Sequence, residues 1–147
     1  MHKKFEDIIA EQGKLVYTSE GDSMFPIIRA RDLLIIEAVR APLKVGDVPL
    51  YKRDSGQYVL HRIVAIKKGK YALKGDNRTF VEKGITDKHI IGVLTGIVRD
   101  GKTVSVTDSK YKLYVHLWCG LYYLRAPFTA IGMKINRLRR KRKRHET

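Results

Sequence analysis

The sequence predicts a mostly-β protein: a small, coiled all-β domain with a short N-terminal helix and a C-terminal amphipathic helical segment. Short apolar runs separated by turn residues recur through the first 110 positions, which is typical of a small all-β domain. From Tyr111 the apolar residues repeat with a helical period instead. Because 147 residues suffice for one domain and an appendage, we predict a core domain over residues 1–109 and an appended segment over residues 110–147.

The predicted elements begin with an N-terminal amphipathic helix that ends at Gly13. Its face combines residues at helical spacing, namely Phe5, Ile8, Ile9 and Gln12. Runs of apolar and β-branched residues then predict short strands over residues 15–18, 33–38, 48–52, 58–66, 71–74, 90–98 and 103–106. The helical period of the C-terminal segment is carried by Tyr114, Leu117, Trp118, Leu121 and Tyr122.

Turn residues and one proline refine this strand pattern. The DSG sequence at 54–56 predicts a hairpin between residues 48–52 and 58–66, and a DG pair joins the last two strands. Pro49 lacks the N–H group that a strand ladder uses, so we expect it at an edge position or at a bulge.

Three short motifs carry residues that fit one kind of chemistry: GDSMFP at 21–26, LHR at 60–62 and GDN at 75–77. Ser23 would be a poor nucleophile at neutral pH unless a neighbouring base took its proton. His61 can serve as that base, because imidazole titrates at about pH 6–7 and can return the proton to the leaving group. Asp76 can orient the imidazole and stabilise its protonated form. The motifs therefore predict a hydrolase that cuts peptide bonds.

The order of these motifs resembles the signal peptidase I and LexA-like serine peptidase superfamily over residues 16–102. In bacterial signal peptidases and in LexA the base is a lysine. Here His61 holds that position before Arg62, which is similar to the archaeal and endoplasmic-reticulum branch with its Ser-His pair. The resemblance also implies two acidic positions after the base, held here by Asp76 and by Glu82, where the family usually has Asp.

Two assignments stay open within this site. Lys52 is the alternative base, since Ser-Lys pairs do this work in related enzymes. Either Asp76 or Glu82 can orient His61. Many signal peptidases add a hydroxyl donor two residues before the nucleophile, where this chain has Gly21, so we expect slower turnover or reliance on main-chain N–H groups to bind the oxyanion.

The charge of +15 is concentrated at the C-terminus. Residues 134–147 hold eight Lys and Arg and one Glu, which leaves +8 for the other 133 residues. The tail follows an aromatic, apolar stretch, which favours an anionic membrane surface over nucleic acid or a freely solvated tail. Arg125 and Pro127 make a membrane span over residues 113–133 less favoured. On this interpretation, cleavage of a soluble peptide should survive truncation after Lys110.

The sequence predicts no metal site, no cofactor and no intrachain disulfide. Cys119 is the single cysteine, and the five histidines are scattered without metal-ligand spacing. The first residues include two lysines but no following apolar stretch, so we expect neither a secretory signal nor an N-terminal anchor.

Together the motifs and the resemblance lead us to expect a serine endopeptidase that cleaves signal or leader peptides through Ser23 and His61. We expect it to be membrane-associated on the cytoplasmic face; a single C-terminal span with an external catalytic domain is the alternative. A LexA-like self-cleaving regulator is a rival, although roughly 20 residues before Ser23 are too few for a helix-turn-helix. A catalytically idle membrane or nucleic-acid adaptor with the same fold is a second rival.

Overall fold

The computed structural model describes residues 2–120 and confirms the mostly-β fold. Its two α-helices are α1 (Phe5–Gln12) and α2 (Ser109–Gly120). Its strands are β1 (Lys14–Thr18), β2 (Leu33–Glu37), β3 (Pro49–Lys52), β4 (Tyr58–Leu60), β5 (Arg62–Lys67), β6 (Lys70–Lys74), β7 (Glu82–Ile85), β8 (Ile90–Arg99) and β9 (Lys102–Ser105). A short 3-10 helix, Asp87–His89, precedes β8.

The N-terminal helix ends where the sequence predicts. Gly13 adopts the left-handed conformation, with φ at 71°, and donates its N–H to the carbonyl of Ile9 over 2.8 Å. Glycine favours this helix ending because it has no Cβ. Ile9 is buried in the core of the domain, so α1 is packed against the strands that follow it.

The strands form two antiparallel sheets. Sheet 1 has the order β1-β2-β8-β3-β4, with β9 also paired to β8, and sheet 2 has the order β5-β6-β7. One apolar cluster, which includes Leu34 and Leu50, fills the space against sheet 1. A second cluster includes Ile63 and Leu73 of sheet 2 together with Tyr51 of β3. Tyr51 therefore packs where the two sheets meet.

The predicted strand over residues 58–66 is wrong in one respect, because the chain changes sheets at His61. β4 belongs to sheet 1, whereas β5, which starts directly after His61, belongs to sheet 2. Ile63 takes its backbone partners from the connector before β3: it donates to the carbonyl of Asp47 (2.8 Å) and accepts from the N–H of Gly46 (2.9 Å). The candidate base therefore lies at the junction of the sheets rather than inside a strand.

Pro49 also differs from the expectation, since β3 is an interior strand between β8 and β4. Pro49 is the first residue of that strand and faces Val93 of β8. A proline is tolerated at this position, where the strand ladder is only beginning. The irregularity in the ladder lies next to it, between Leu50 and Tyr51.

α2 confirms the helical character of the C-terminal segment as far as Gly120, and the rest of that predicted segment lies outside the described residues. Tyr111 is buried in the cluster of sheet 1, so the start of α2 packs on the core. The domain boundary between residues 109 and 110 stays a prediction. Within residues 2–120, no helix combines the length and apolarity needed to cross a membrane.

Candidate active site

The three sequence motifs meet around Gly75. A Cβ built on Gly75 would lie 2.6 Å from the carbonyl oxygen of Ser23 and 3.2 Å from Nε2 of His61. Only glycine leaves room for this approach, because a real Cβ does not come within 3 Å of a backbone oxygen. The structure thus brings the backbone of Ser23, the predicted nucleophile, and the ring of His61, the predicted base, close to Gly75.

Ser23, the predicted nucleophile, lies in a tight turn that is tied to the GDN motif. Phe25 donates its N–H to the carbonyl of Asp22 (3.0 Å), and Asn77 donates its N–H to the carbonyl of Ser23 (2.8 Å). Met24 is buried beneath the turn, and the Phe25–Pro26 peptide bond is cis. In the described part of the chain, the backbone N–H of Ser23 has no acceptor, so it is available to bind an oxyanion.

Hydrogen bonds around His61 define its tautomer. The hydroxyl of Tyr51 donates to Oε2 of Glu82 over 2.9 Å and lies 3.4 Å from Nδ1 of His61. Because a phenol carries one proton, the Tyr51 oxygen can only accept from His61, and Nδ1 therefore bears the hydrogen. The unprotonated Nε2 then faces Gly75 and the nucleophile turn. This is the tautomer that a general base requires.

Burial lowers the pKa of His61 from 6.5 to about 4. The negative charge of Glu82 opposes this shift in pKa, while the positive charges of Arg53 and Arg78 reinforce it. The imidazole is therefore neutral at pH 7 and can accept a proton.

Glu82 reaches His61 through Tyr51 rather than directly. Arg53 holds the Glu82 carboxylate with Nε on Oε1 (2.7 Å) and Nη2 on Oε2 (2.9 Å). The bonds from Arg53 lower the pKa of Glu82, and partial burial opposes that effect. The result is a fixed, ionised carboxylate behind the phenol of Tyr51, which faces His61.

Asp76 comes into the site but turns toward different partners. Its carboxylate accepts two bonds from the buried guanidinium of Arg62, at 2.8 and 2.7 Å, and one from the Tyr114 hydroxyl at 2.9 Å. Arg62 also donates to the carbonyl of Gly46 (2.8 Å). Within residues 2–120 the Asp76 carboxylate makes no hydrogen bond to His61, and its contacts instead fix the GDN turn.

The alternative base, Lys52, is engaged elsewhere. Its ammonium group donates to Oε1 of Glu6 over 2.7 Å, and this bond raises the pKa of Lys52. A lysine base needs a lowered pKa. The geometry therefore favours His61 over Lys52.

A groove of about 650 Å³ leads to Ser23 and His61. One wall comes from the end of β1 and residues 19–21, and the other from β4. Its floor is formed by buried apolar side chains, namely Met24, Ile28, Leu34 and Leu50. Within the described residues no hydrogen bond joins the Ser23 hydroxyl to His61, and such contacts often tighten only when substrate binds.

Sequence reasoning missed Tyr51 and Arg53 as members of this site. Tyr51 lies in β3 and Arg53 follows the last residue of that strand directly, but nothing in the sequence indicates that Glu82 lies opposite them. Sequence reasoning also missed the contacts of α2 with Asp76, because the helical spacing of Tyr114 and Trp118 does not reveal what they touch.

Comparison with known proteins identifies the family of the chain. No curated protein matches the chain. A family model described as Peptidase S24-like matches residues 4–95, a range that contains Ser23, His61, Asp76 and Glu82 and covers more than half of the chain. The chain therefore belongs to the peptidase S24-like family, within the LexA and signal peptidase I-like superfamily.

Proposed function

We propose that this protein is a serine endopeptidase in which Ser23 is the nucleophile and His61 the general base. The observation that carries the proposal is the meeting of both residues at Gly75, with the free nitrogen of His61 on that side. The Ser-His pairing, as opposed to a Ser-Lys pair, is supported by the engagement of Lys52 with Glu6.

The proposed reaction has two halves. Ser23 Oγ attacks the peptide carbonyl carbon while its proton passes to Nε2 of His61, and the N–H of Ser23 binds the resulting oxyanion. His61 then donates that proton to the leaving amine as the C–N bond breaks, which leaves an acyl-serine. Water hydrolyses this ester with His61 again as the base, and the carboxylate product leaves.

The two acidic residues have different roles in this proposal. Glu82 stabilises the protonated imidazole through Tyr51 and keeps the productive tautomer. Asp76 organises the turn that supports Ser23, through its bonds with Arg62. Both remain members of the site, one acting on the base and the other on the nucleophile loop.

The proposed substrate is a signal or leader peptide in an extended conformation. β1 and β4 are the terminal strands in the order of sheet 1, and both border the groove, so an extended peptide could add to either edge. The superfamily resemblance supports this substrate class. Cleavage of a segment of its own chain, as in LexA-like proteins, uses the same machinery and is the alternative outcome of the experiment below.

Association with an anionic membrane surface, on the cytoplasmic side, is part of the proposal. Its support is the basic stretch over residues 134–147, which lies outside the described residues. Of the residues at helical spacing on α2, Tyr114 and Trp118 bond to Asp76. Leu113 and Leu117 are exposed, and we propose that they supply the apolar contact with the membrane. Nucleic acid remains the less favoured partner of the tail.

A serine-reactive acylating probe tests this function on the purified full-length chain. We expect labelling at Ser23, located by mass spectrometry, and its loss in Ser23→Ala and in His61→Ala. Lys52→Ala is the control and should label normally. Loss of labelling in Lys52→Ala, with retention in His61→Ala, would move the base to Lys52, and absence of labelling in the unsubstituted chain would favour an idle adaptor. Incubation without peptide reveals self-cleavage as new fragments.

A further inference from the structure

One face of α2 binds the buried pair formed by Arg62 and Asp76. The Tyr114 hydroxyl donates to Oδ2 of Asp76 (2.9 Å), and Nε1 of Trp118 donates to the main-chain carbonyl of Asp76 (3.0 Å). The Tyr111 hydroxyl accepts from Nη1 of Arg62 (3.3 Å). The helix thus holds both the side chain and the backbone of Asp76.

The aromatic rings on this face are arranged around the same charges. The rings of Tyr114 and Trp118 stack at a centroid distance of 5.7 Å. The guanidinium of Arg62 lies 5.8 Å from the ring centroids of Tyr111 and of Tyr114, within the range of a cation–π interaction. α2 is therefore attached by directional polar contacts as well as by apolar packing, which fixes its position more closely than packing alone.

The opposite side of the GDN turn holds the nucleophile loop. Asn77 donates its N–H to the Ser23 carbonyl (2.8 Å) and its side-chain amide to the Asp22 carbonyl (3.1 Å). Arg78 adds an ion pair with the Asp22 carboxylate (2.6 Å). A single turn, residues 75–77, therefore lies between the indole of Trp118 and the backbone of Ser23.

We propose that Tyr114 and Trp118 are positioning residues of the active site. By holding Asp76 they fix Asn77, and Asn77 fixes the Ser23 carbonyl in the geometry from which the hydroxyl reaches His61. The catalytic consequence rests on the proposed function. The sequence alone leads us to expect that truncation after Lys110 spares cleavage. This inference leads to the opposite result, because truncation removes the two donors that α2 supplies to Asp76.

Conservative variants test the role without removing the helix. Tyr114→Phe and Trp118→Phe each delete a donor and keep an aromatic ring. Leu117→Ala is the matched control, since Leu117 is exposed on the same helix. Three quantities are measured on the full-length chain: the rate constant for acylation of Ser23 by the probe, its pH dependence, and the amide hydrogen exchange rate of Asn77.

We expect the double variant to lose roughly tenfold or more in acylation rate, since a small displacement of a reacting group is costly. The Asn77 amide should exchange faster, and the pH midpoint should stay unchanged, because the contact of His61 with Tyr51 is intact. The Leu117→Ala control should match the unsubstituted chain in all three. A folded double variant with an unchanged acylation rate and an unchanged Asn77 exchange rate would overturn the proposal.

Failure of the proposed function is distinguishable from failure of this inference. If the unsubstituted chain is not acylated at Ser23, the peptidase proposal fails, and the exchange rate of Asn77 decides the inference by itself. Faster exchange in the double variant supports the coupling of α2 to the nucleophile loop, and unchanged exchange overturns it.

Discussion

Tyr51 donates its hydroxyl proton to Glu82 over 2.9 Å, so its oxygen faces the imidazole of His61 as an acceptor. Tyr51 is fully buried, and Arg53 holds Glu82 from the other side at 2.7 Å. The carboxylate of Glu82 therefore contacts His61, the proposed base, through a neutral phenol. A directly bonded carboxylate would raise the pKa of an imidazole, whereas here burial is the larger effect and lowers the pKa of His61 to about 4.

The first prediction concerns this phenol. Tyr51→Phe removes the acceptor for Nδ1–H of His61 and keeps the volume of the ring. We expect kcat/KM for a peptide substrate to fall by roughly 10- to 100-fold, because the imidazole loses the partner that fixes its tautomer. Tyr71→Phe is the control, since Tyr71 also donates to a carboxylate, that of Asp87 at 2.6 Å, away from the groove. Equal kcat/KM values for the two variants would contradict the role of Tyr51 in linking Glu82 to His61.

The second prediction is the pH profile. Burial places the pKa of His61 at about 4 instead of 6.5, so the imidazole gains its proton only in acid. We expect kcat/KM to rise with pH through a midpoint at about 4 and to be level above about pH 6. An unperturbed imidazole would instead give a rise over about pH 6–7. Steady-state kinetics over this range measure it. A limb well above about pH 8, once substrate ionisation is excluded, would indicate a lysine base.

The third prediction separates the two acidic residues. Asp76→Asn leaves the buried charge of Arg62 without its counterion, and breaking a buried pair costs about 3–5 kcal/mol of stability. Glu82 lies nearer the surface, with 16% of its side chain exposed. Glu82→Gln should therefore lower the free energy of unfolding by about 1 kcal/mol or less. It should lower kcat/KM by roughly tenfold. Urea unfolding and steady-state kinetics measure both effects.

The opposite pattern would reassign these roles. If Asp76→Asn unfolds at the same urea concentration as the unsubstituted chain and is nevertheless inactive, Asp76 rather than Glu82 acts on His61. If Glu82→Gln keeps full activity, the contact of Glu82 with Tyr51 is structural only.

The fold and the candidate dyad were predictable from the sequence because their signals are local. Turn residues and apolar runs define the strands, and Ser23 and His61 stand within short motifs. β7 was not predictable in this way, since the sequence EKGI lacks an apolar pattern, and its pairing with the preceding strand β6 has no signal in these four residues. The role of Tyr51 depends on the same pairing, because β7 carries Glu82 to it.

The C-terminal stripe illustrates a second limit of sequence reasoning. Helical spacing identifies a face, but it does not identify what covers that face. Tyr114 and Trp118 carry polar groups at the ends of apolar rings, which suits a membrane interface and a buried carboxylate equally well. In the structure both side chains donate hydrogen bonds to Asp76, and nothing in the sequence distinguishes this partner from a membrane surface.

The last prediction concerns the outward face of α2. Leu113 and Leu117 are 58% and 49% exposed and lie one helical turn apart. If the protein binds anionic membranes, these side chains should supply apolar contact while the basic tail supplies charge. We expect Leu113→Ser/Leu117→Ser to weaken binding to phosphatidylserine-containing vesicles several-fold and to leave cleavage of a soluble peptide unchanged.

Co-sedimentation with these vesicles measures the binding, and Val104→Ser is its control, because Val104 is an exposed apolar residue on β9. Binding of the unsubstituted chain should weaken strongly as salt rises from about 50 to about 500 mM, since screening shortens the reach of the tail's charges. Equal binding by the double variant and the control would remove α2 from the contact. Retention in membranes through high salt and alkaline carbonate would contradict surface attachment and favour a C-terminal span. These treatments release proteins that are held by charge and shallow apolar contact, but they do not release proteins that cross the bilayer.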